Sequence, residues 1–423
     1  MSTEVAVYVA VGERNLLAGR LQPDDSGRAV AGFAYDDRYL ADPDAYPLDP
    51  ELPLVPGDLQ PAEGRPTFGA FADSSPDGWG WSLLRRAELA LAEEEGTQPR
   101  PIGVLDVLTG VRDDLRQGAL RYGRDEGPFL ADVTSAPPGL EDLPGLLEVA
   151  ARFEEEAVGY ADLELLVRAG ASIGGWRPKV HFADTAGRAA IAKLPKAGWD
   201  SWDVMTWEKV AHDLARAAGI SLPDSELIEV GDAHVFIVTR FDRLAGVRAG
   251  YASARTMLNA GYGEQRSYLE IAGVIEERSP DPAADLLELW RRIAFSVLIS
   301  NTDDHLRNHG FLYQRAGSWA LSPAFDLNPN PAPGPKQLST AIDLTDTTAS
   351  VDTLMSVAGR FGLDASAAVS VLAEVTHAVA AWRDVALSCG LQQEDLDAME
   401  PAFEHAETER ARALTAGLLG DIA

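Results

Sequence analysis

Residues 298–313, LISNTDDHLRNHGFLY, crowd carboxylate, guanidinium, imidazole and carboxamide groups between two apolar runs. Asp303 and Asn308 stand in a D-x4-N spacing. At that spacing a carboxylate can accept the proton of an attacking hydroxyl while an amide oxygen holds Mg²⁺. The spacing also arises by chance, and the bland reading is a solvated turn in which Asp303 caps a nearby amide. The neighbouring elements weigh toward chemistry. An apolar helix over about 286–300 leads the chain in, and 310–313 leads it out as a strand. A polar loop held by two buried elements suits catalytic groups, because the scaffold fixes them while substrate can reach them.

A chain of 423 residues has room for two or three domains with their own cores. Its 46% hydrophobic and 24% charged residues are ordinary for a soluble globular protein. No apolar run reaches the roughly 18–20 residues of a membrane span. The first residues, MSTEVAVYVAVGERN, carry a glutamate and no basic n-region, so a signal peptide is not expected. A single cysteine, Cys389, excludes an intramolecular disulfide and fits a reducing cytoplasm. The net charge of −30 would repel nucleic acid and anionic membranes and leaves a basic partner easier to accommodate.

The chain opens with β-branched and aromatic runs at 5–10, 16–21 and 27–35 separated by turn signals, which reads as a small antiparallel sheet. A proline-rich stretch over about 40–65 follows, irregular but anchored by its leucines. FGAFADSSPDGWGWSLL (68–84) turns at Pro76 and Gly78 into a helix over about 79–93, with Trp79 and Trp81 read as core packing in preference to ligand stacking. A helix over about 103–113 comes next. Residues 124–143, rich in Gly, Pro, Asp and Ser, are the best linker. Helices over 143–157 and 163–169 complete the first part.

From Ala171 the character changes. Ser172, Ile173, Gly174, Gly175, Trp176, Arg177, Pro178 and Lys179 form a glycine-containing turn at the mouth of a hairpin, strands 180–183 and 189–194, with Lys193 near its end. Paired glycines let backbone amides approach an anion, and Lys179 and Arg177 could add charge; an ordinary hairpin turn with surface cations is the alternative. Asp203 caps a helix to about Ala218 that carries Glu208 in its first half. A glycine-mouthed hairpin, a strand lysine and a helix glutamate follow the small-lobe order of protein kinases, in which lysine and glutamate pair; Glu208 could equally be an exposed helix residue. Strand 233–239 ends at Arg240, Phe241, Asp242 and Arg243, either a hinge or a structural ion-pair cluster. Helices over about 252–259, 267–275 and 283–300 precede the D-x4-N loop. Asp326 follows 18 residues after Asn308, past a short strand, as a second Mg²⁺-binding aspartate would. The tail, about 351–419, is helical. Each match is weak alone, but their shared order is not.

With these residues in hand, the chain resembles the HipA family of bacterial serine/threonine kinases, the toxin halves of toxin–antitoxin pairs, over nearly its full length. SIGGWRPK resembles the family's phosphate-binding loop, IAKLP its strand lysine, VTRFDR its hinge, NTDDHLRN its catalytic loop and SPAFDLNP its metal-binding segment. VYVAVGERNLLAGRL, GFAYDDRYL and FADSSPDGWGWSLL resemble its extra N-terminal subdomain. The resemblance implies an α+β, protein-kinase-like two-lobed fold: an N-terminal β-containing subdomain (1–142), a small β-rich nucleotide-binding N-lobe (143–245) and a mostly α-helical catalytic C-lobe (246–423). It implies Asp303 as catalytic aspartate, Asn308 and Asp326 as Mg²⁺ ligands, Lys193 and Lys179 on ATP phosphates, His305 in a positioning role, and Ser172 as an autophosphorylated loop serine. Ile173, Gly174, Gly175, Glu208, Arg240 and Phe241 complete the expected ATP-binding set. Implied partners are a protein substrate, with aminoacyl-tRNA synthetases known as substrates in the family, and a HipB-like helix-turn-helix antitoxin, with DNA reached only through it; no membrane is involved. Thr239 departs from a glutamate common before the RFDR-like sequence, and Trp176 replaces a small or polar loop residue. The rival readings are a small-molecule, antibiotic-type phosphotransferase and a catalytically silent binding protein.

Overall fold

In the computed structural model the apolar alternation near the N-terminus becomes a five-stranded antiparallel sheet, in the order Asp58–Leu59, Val30–Tyr35, Arg14–Pro23, Val5–Val11, Leu120–Gly123. The structure describes residues 4–124, 128–131, 138–155, 158–170, 174–184, 186–196, 198–244 and 246–417. The last strand of that sheet was not expected. LRYG carries little β signature, and it pairs with Val5–Val11 across more than a hundred residues of chain. The proline-rich stretch is irregular and buries Leu48 and Leu52, as its leucines suggested.

The chain divides into two compact units. One comprises Met1–Asp200, Ile228–Ala252 and Leu312–Gly317; the other comprises Ser201–Leu227, Ser253–Phe311 and Ser318–Ala423. The first therefore takes in both residues 1–142 and the glycine-mouthed hairpin, and the reason is a shared core. Trp79 and Leu83 from the helix Gly78–Glu95 are buried with Leu146, Phe153 and Leu166 from the helices Leu143–Glu154 and Tyr160–Gly170, and with Val180, Phe182, Ala190, Ala192 and Ile237 from the second sheet. Trp79 meets Phe153 edge-on at 4.6 Å, a packing role. Part of the expected linker folds back: Leu130 donates to the Tyr122 carbonyl at 2.7 Å, and Arg121 lies 3.4 Å from the centre of the Phe129 ring. Residues 125–127 and 132–137 of that stretch lie outside the described residues.

The second sheet runs in the order Lys179–Ala183, Ala189–Lys193, Ala233–Thr239, Ser225–Val230. Its hairpin is antiparallel, with Lys179 opposite Lys193 and Phe182 opposite Ala190. Ala233–Thr239 then pairs with the hairpin's second strand, Phe236 opposite Lys193.

The other unit is mostly helical. Asp203 caps Val204–Ala217 by accepting from the Thr206 amide at 3.0 Å, as expected. The helix buries Trp207, which lies 5.9 Å from Phe403, itself stacked on Trp382 at 4.7 Å, so the tail helices cover its apolar face. Pro282–Leu298 starts with proline in its first turn and an Asp281 cap, and its last turns are buried on nearly every side. It ends where Ser300 takes φ +54°, a left-handed position usually given to glycine, and Asn301 N–H closes back on the Ser296 carbonyl at 2.8 Å. Among the described residues no single helix is long and apolar enough to cross a membrane. The α+β class expected from the sequence is the one observed.

Candidate active site

The expected site residues fall on both units, and each half has its own construction. On the first unit, Gly174 and Gly175 precede the strand that begins at Lys179. Gly175 has φ +102°, open only to glycine without strain. Lys179 is buried and donates from Nζ to the Gly174 carbonyl at 2.6 Å. Lys193 ends the second strand directly opposite, so both lysines project from one face of the hairpin. Arg177 does not add free charge to the loop. It forms two hydrogen bonds, 2.6 and 3.0 Å, with Asp200, so its charge is matched within the protein. Ser172 and Ile173 lie outside the described residues.

The Arg240–Arg243 segment is an ion-pair cluster. Arg240 is buried and donates to Asp242 from Nε and Nη2 at 2.9 and 2.7 Å, to the Leu115 carbonyl at 2.6 Å and to the Arg116 carbonyl at 3.0 Å. Asp242 also accepts from Arg243 at 2.9 Å and from the Gly118 amide at 2.8 Å. Burial pushes the Asp242 carboxyl up, but Arg240 and Arg243 outweigh it and hold the group well below the usual carboxylate range. The Arg240 N–H donates to the Ala189 carbonyl at 2.9 Å, which ties the end of the strand Ala233–Thr239 to the hairpin. Phe241 is half-buried, 6.4 Å from the Tyr251 ring.

On the second unit, Glu208 is buried in Val204–Ala217, so the exposed-residue alternative does not hold. The D-x4-N loop separates its two neighbouring carboxylates. Asp304 is buried and accepts from Tyr268 Oη at 2.6 Å and Ser296 Oγ at 3.3 Å, while Thr340 donates to its carbonyl at 2.7 Å. His309 Nε2 stands 3.0 Å from its other oxygen, in ion-pair range though not aligned for a hydrogen bond. Burial works against the Asp304 charge, but attraction to His309 and the Tyr268 hydrogen bond prevail and keep its carboxyl below the ordinary value. Asp303 instead lies at the surface with His305. Partial burial of its carboxyl comes first in holding it above the ordinary value; His305 opposes this, while Asp326 and Asp304 reinforce it.

Asn308 is buried and turns its Nδ2 onto the Asp303 carbonyl at 3.1 Å, which ties the two ends of the spacing together. Asp326 has φ +60°, uncommon for a residue with a side chain and often seen at functional positions, and its Oδ1 accepts from Asn328 at 3.2 Å. Its negative charge is among the causes that raise the Asp303 carboxyl. An amide oxygen and a carboxylate are hard ligands of the kind Mg²⁺ prefers, and because the ion retains several waters two protein ligands suffice; the residues present fit it.

Sequence reasoning missed the partners that hold these groups. Tyr268 and His309 fix Asp304, and Asp77 reaches Gly175. No spacing rule signals a contact between residues 98 positions apart, and the Pro76–Gly78 turn gave no sign of its target.

The α+β arrangement is that of HipA. The chain aligns with HipA of Shewanella oneidensis MR-1, solved with HipB and its operator DNA, with TM-score 0.69 and 16% identity over 98% of this chain and 97% of that one. The HipA-like C-terminal domain matches residues 171–382, half of the chain, and the protein belongs to that family. It is 29% identical over 160 residues to "Putative kinase Y4dM" of Sinorhizobium fredii and 25% identical over 184 residues to a "Putative kinase" of Haemophilus influenzae. Those matches take in 34% and 37% of this chain, but only 38% and 52% of the relatives' lengths.

Proposed function

We propose that the protein is an Mg-ATP-dependent serine/threonine protein kinase of HipA type, acting in the cytoplasm. The observation that carries this reading is the division of labour in the D-x4-N loop: Asp304 is consumed in a buried network while Asp303 is left at the surface beside Asn308 and Asp326. Asp303 would orient the acceptor hydroxyl and take its proton as the hydroxyl oxygen bonds to the γ-phosphorus and the bond to the ADP oxygen breaks. Asn308 and Asp326 would hold Mg²⁺, which supplies charge neutralisation at the phosphate oxygens. Lys193 and Lys179 would bind phosphate from the hairpin, and Ser172 would be the site of autophosphorylation. A phosphate on Ser172 would carry about −1.5 to −2 charges into the glycine loop and lower activity.

The substrate class that the family resemblance suggests is an aminoacyl-tRNA synthetase. A HipB-like antitoxin is the proposed partner, in line with the complex of the Shewanella protein, and DNA would be reached through it. Incubation with γ-labelled ATP and Mg²⁺ tests the reading. Label on the Ser172 peptide or on a protein substrate is expected, and none should appear with Asp303→Ala. Calorimetry should show Mg-ATP binding that Asp326→Asn weakens strongly. A wild-type protein that neither binds Mg-ATP nor transfers label would sink the proposal.

A further inference from the structure

Gly175 is the residue whose freedom of backbone approach gives the glycine loop its chance to bind an anion, and both of its backbone polar groups are engaged by one short segment. Its N–H donates to the Asp77 carboxylate. Its carbonyl accepts from the Trp79 N–H at 2.9 Å. Gly78, between them, permits the approach: a Cβ there would stand 2.6 Å from the Gly175 oxygen and 3.1 Å from the Trp176 ring. Asp77 sits at the N-cap of Gly78–Glu95, yet its side chain makes no capping hydrogen bond to that helix. The carboxylate is directed to the loop instead. Lys179 is likewise turned onto the Gly174 carbonyl.

We propose that Asp77 is an internal anion that competes with an ATP phosphate for the Gly175 amide. The inference rests on the Mg-ATP reading and adds to it a regulatory contact from the N-terminal region. A backbone N–H donates well to one acceptor, so a phosphate oxygen and the Asp77 carboxylate compete for it. The carboxylate also sets a negative charge beside the position a phosphate would take. The loop therefore exists in a latched form and a released form, and the apparent ATP affinity is reduced by the fraction released. Any partner that draws Asp77–Trp79 away would raise affinity without touching the phosphate site.

The test uses the full chain and compares wild type with Asp77→Ala. Hydrogen exchange without nucleotide should be faster at residues 174–176 in the variant. Calorimetry should show its Mg-ATP dissociation constant lower by about threefold to tenfold, as for a latch closed most of the time. Asp77→Asn, which keeps an acceptor oxygen and loses the charge, should fall between the two. Thermal melting of each variant checks that it folds, and Asp77→Asn gives the same comparison if Asp77→Ala fails to fold. Faster exchange with equal or weaker Mg-ATP binding would overturn the proposal, since Asp77 would then be supporting the binding form of the loop. Unchanged exchange would overturn it too. Absence of Mg-ATP binding in every variant would instead bring down the kinase reading and the competition with it, while the exchange data would still report the contact.

Discussion

Lys179 and Lys193 face each other across the antiparallel hairpin, in register, at the foot of the glycine loop. Residues so placed share a face, and like charges there raise the energy of the pair. The hairpin thus concentrates positive charge next to loop backbone that can accept an anion, and a polyphosphate is a fitting counter-charge. Lys193→Met is expected to weaken Mg-ATP binding by about tenfold or more, roughly 1.4 kcal/mol. Calorimetry on the variant, with circular dichroism to check folding, decides it. An affinity equal to wild type would remove Lys193 from the site.

Asp303 and Asp304 should respond in opposite ways to loss of the carboxylate. Asp303→Ala removes a surface group and should leave stability within about 0.5 kcal/mol. Its phosphoryl transfer should nevertheless be lost while ATP binding persists, as expected of a group acting chiefly in the transition state. Asp304→Ala strands Tyr268 Oη and His309 in a buried setting and should cost about 3 kcal/mol or more. Denaturant unfolding and single-turnover transfer on the two variants separate the roles. A stable but inactive Asp304→Ala beside an active Asp303→Ala would move the catalytic role one residue along.

What could be read in the sequence was local, and what could not was distant. The helix Pro282–Leu298 and the strand Gly310–Tyr313 declared themselves because apolar periodicity needs only neighbours, and the Asp203 cap because its target lies three residues on. The strands Leu120–Gly123 and Ser225–Val230 did not: the first has four residues and depends on a distant partner, and the second is largely unburied, with no clean apolar alternation. At the site, residue types pointed to the D-x4-N loop, but nothing in DDH tells which aspartate is buried; Tyr268, 36 residues upstream, decides that. Arg177 shows the converse error. A cation beside a glycine loop invites a phosphate, yet Arg177 is paired with Asp200, 23 residues on.

Asp242 anchors the Arg240–Arg243 segment to residues 115–118 through buried charge. Truncating it leaves the Arg240 and Arg243 guanidiniums without their shared carboxylate, and a broken buried pair typically costs about 3–5 kcal/mol. Asp242→Ala should therefore lower the unfolding free energy by that order in denaturant titrations, and Asp242→Asn, which preserves shape and one acceptor, by less. An Asp242→Ala protein within about 1 kcal/mol of wild type would mean that the network contributes little to stability.

Asp49 supplies a pH signature for the first unit. Its carboxylate accepts from the Ala70 and Glu51 amides at 2.7 Å each. Burial outweighs those bonds, with Glu51 and Asp73 adding repulsion, and the carboxyl is raised to about 6. Between 3.8, the ordinary value, and about 6 the folded protein holds a proton that the unfolded chain has released. Stability from this group is therefore fully present below the unfolded value and is lost as pH rises through the folded one. Between pH 7.5 and 4.5 the gain for wild type amounts to about 2 kcal/mol. Asp49→Asn cannot titrate, so whatever the substitution costs at one pH, the wild-type advantage over it should grow by that amount as the pH falls. Urea unfolding of both proteins across this range measures the difference directly. A difference that stays flat, or shrinks on acidification, would show that Asp49 is not the raised carboxyl described here.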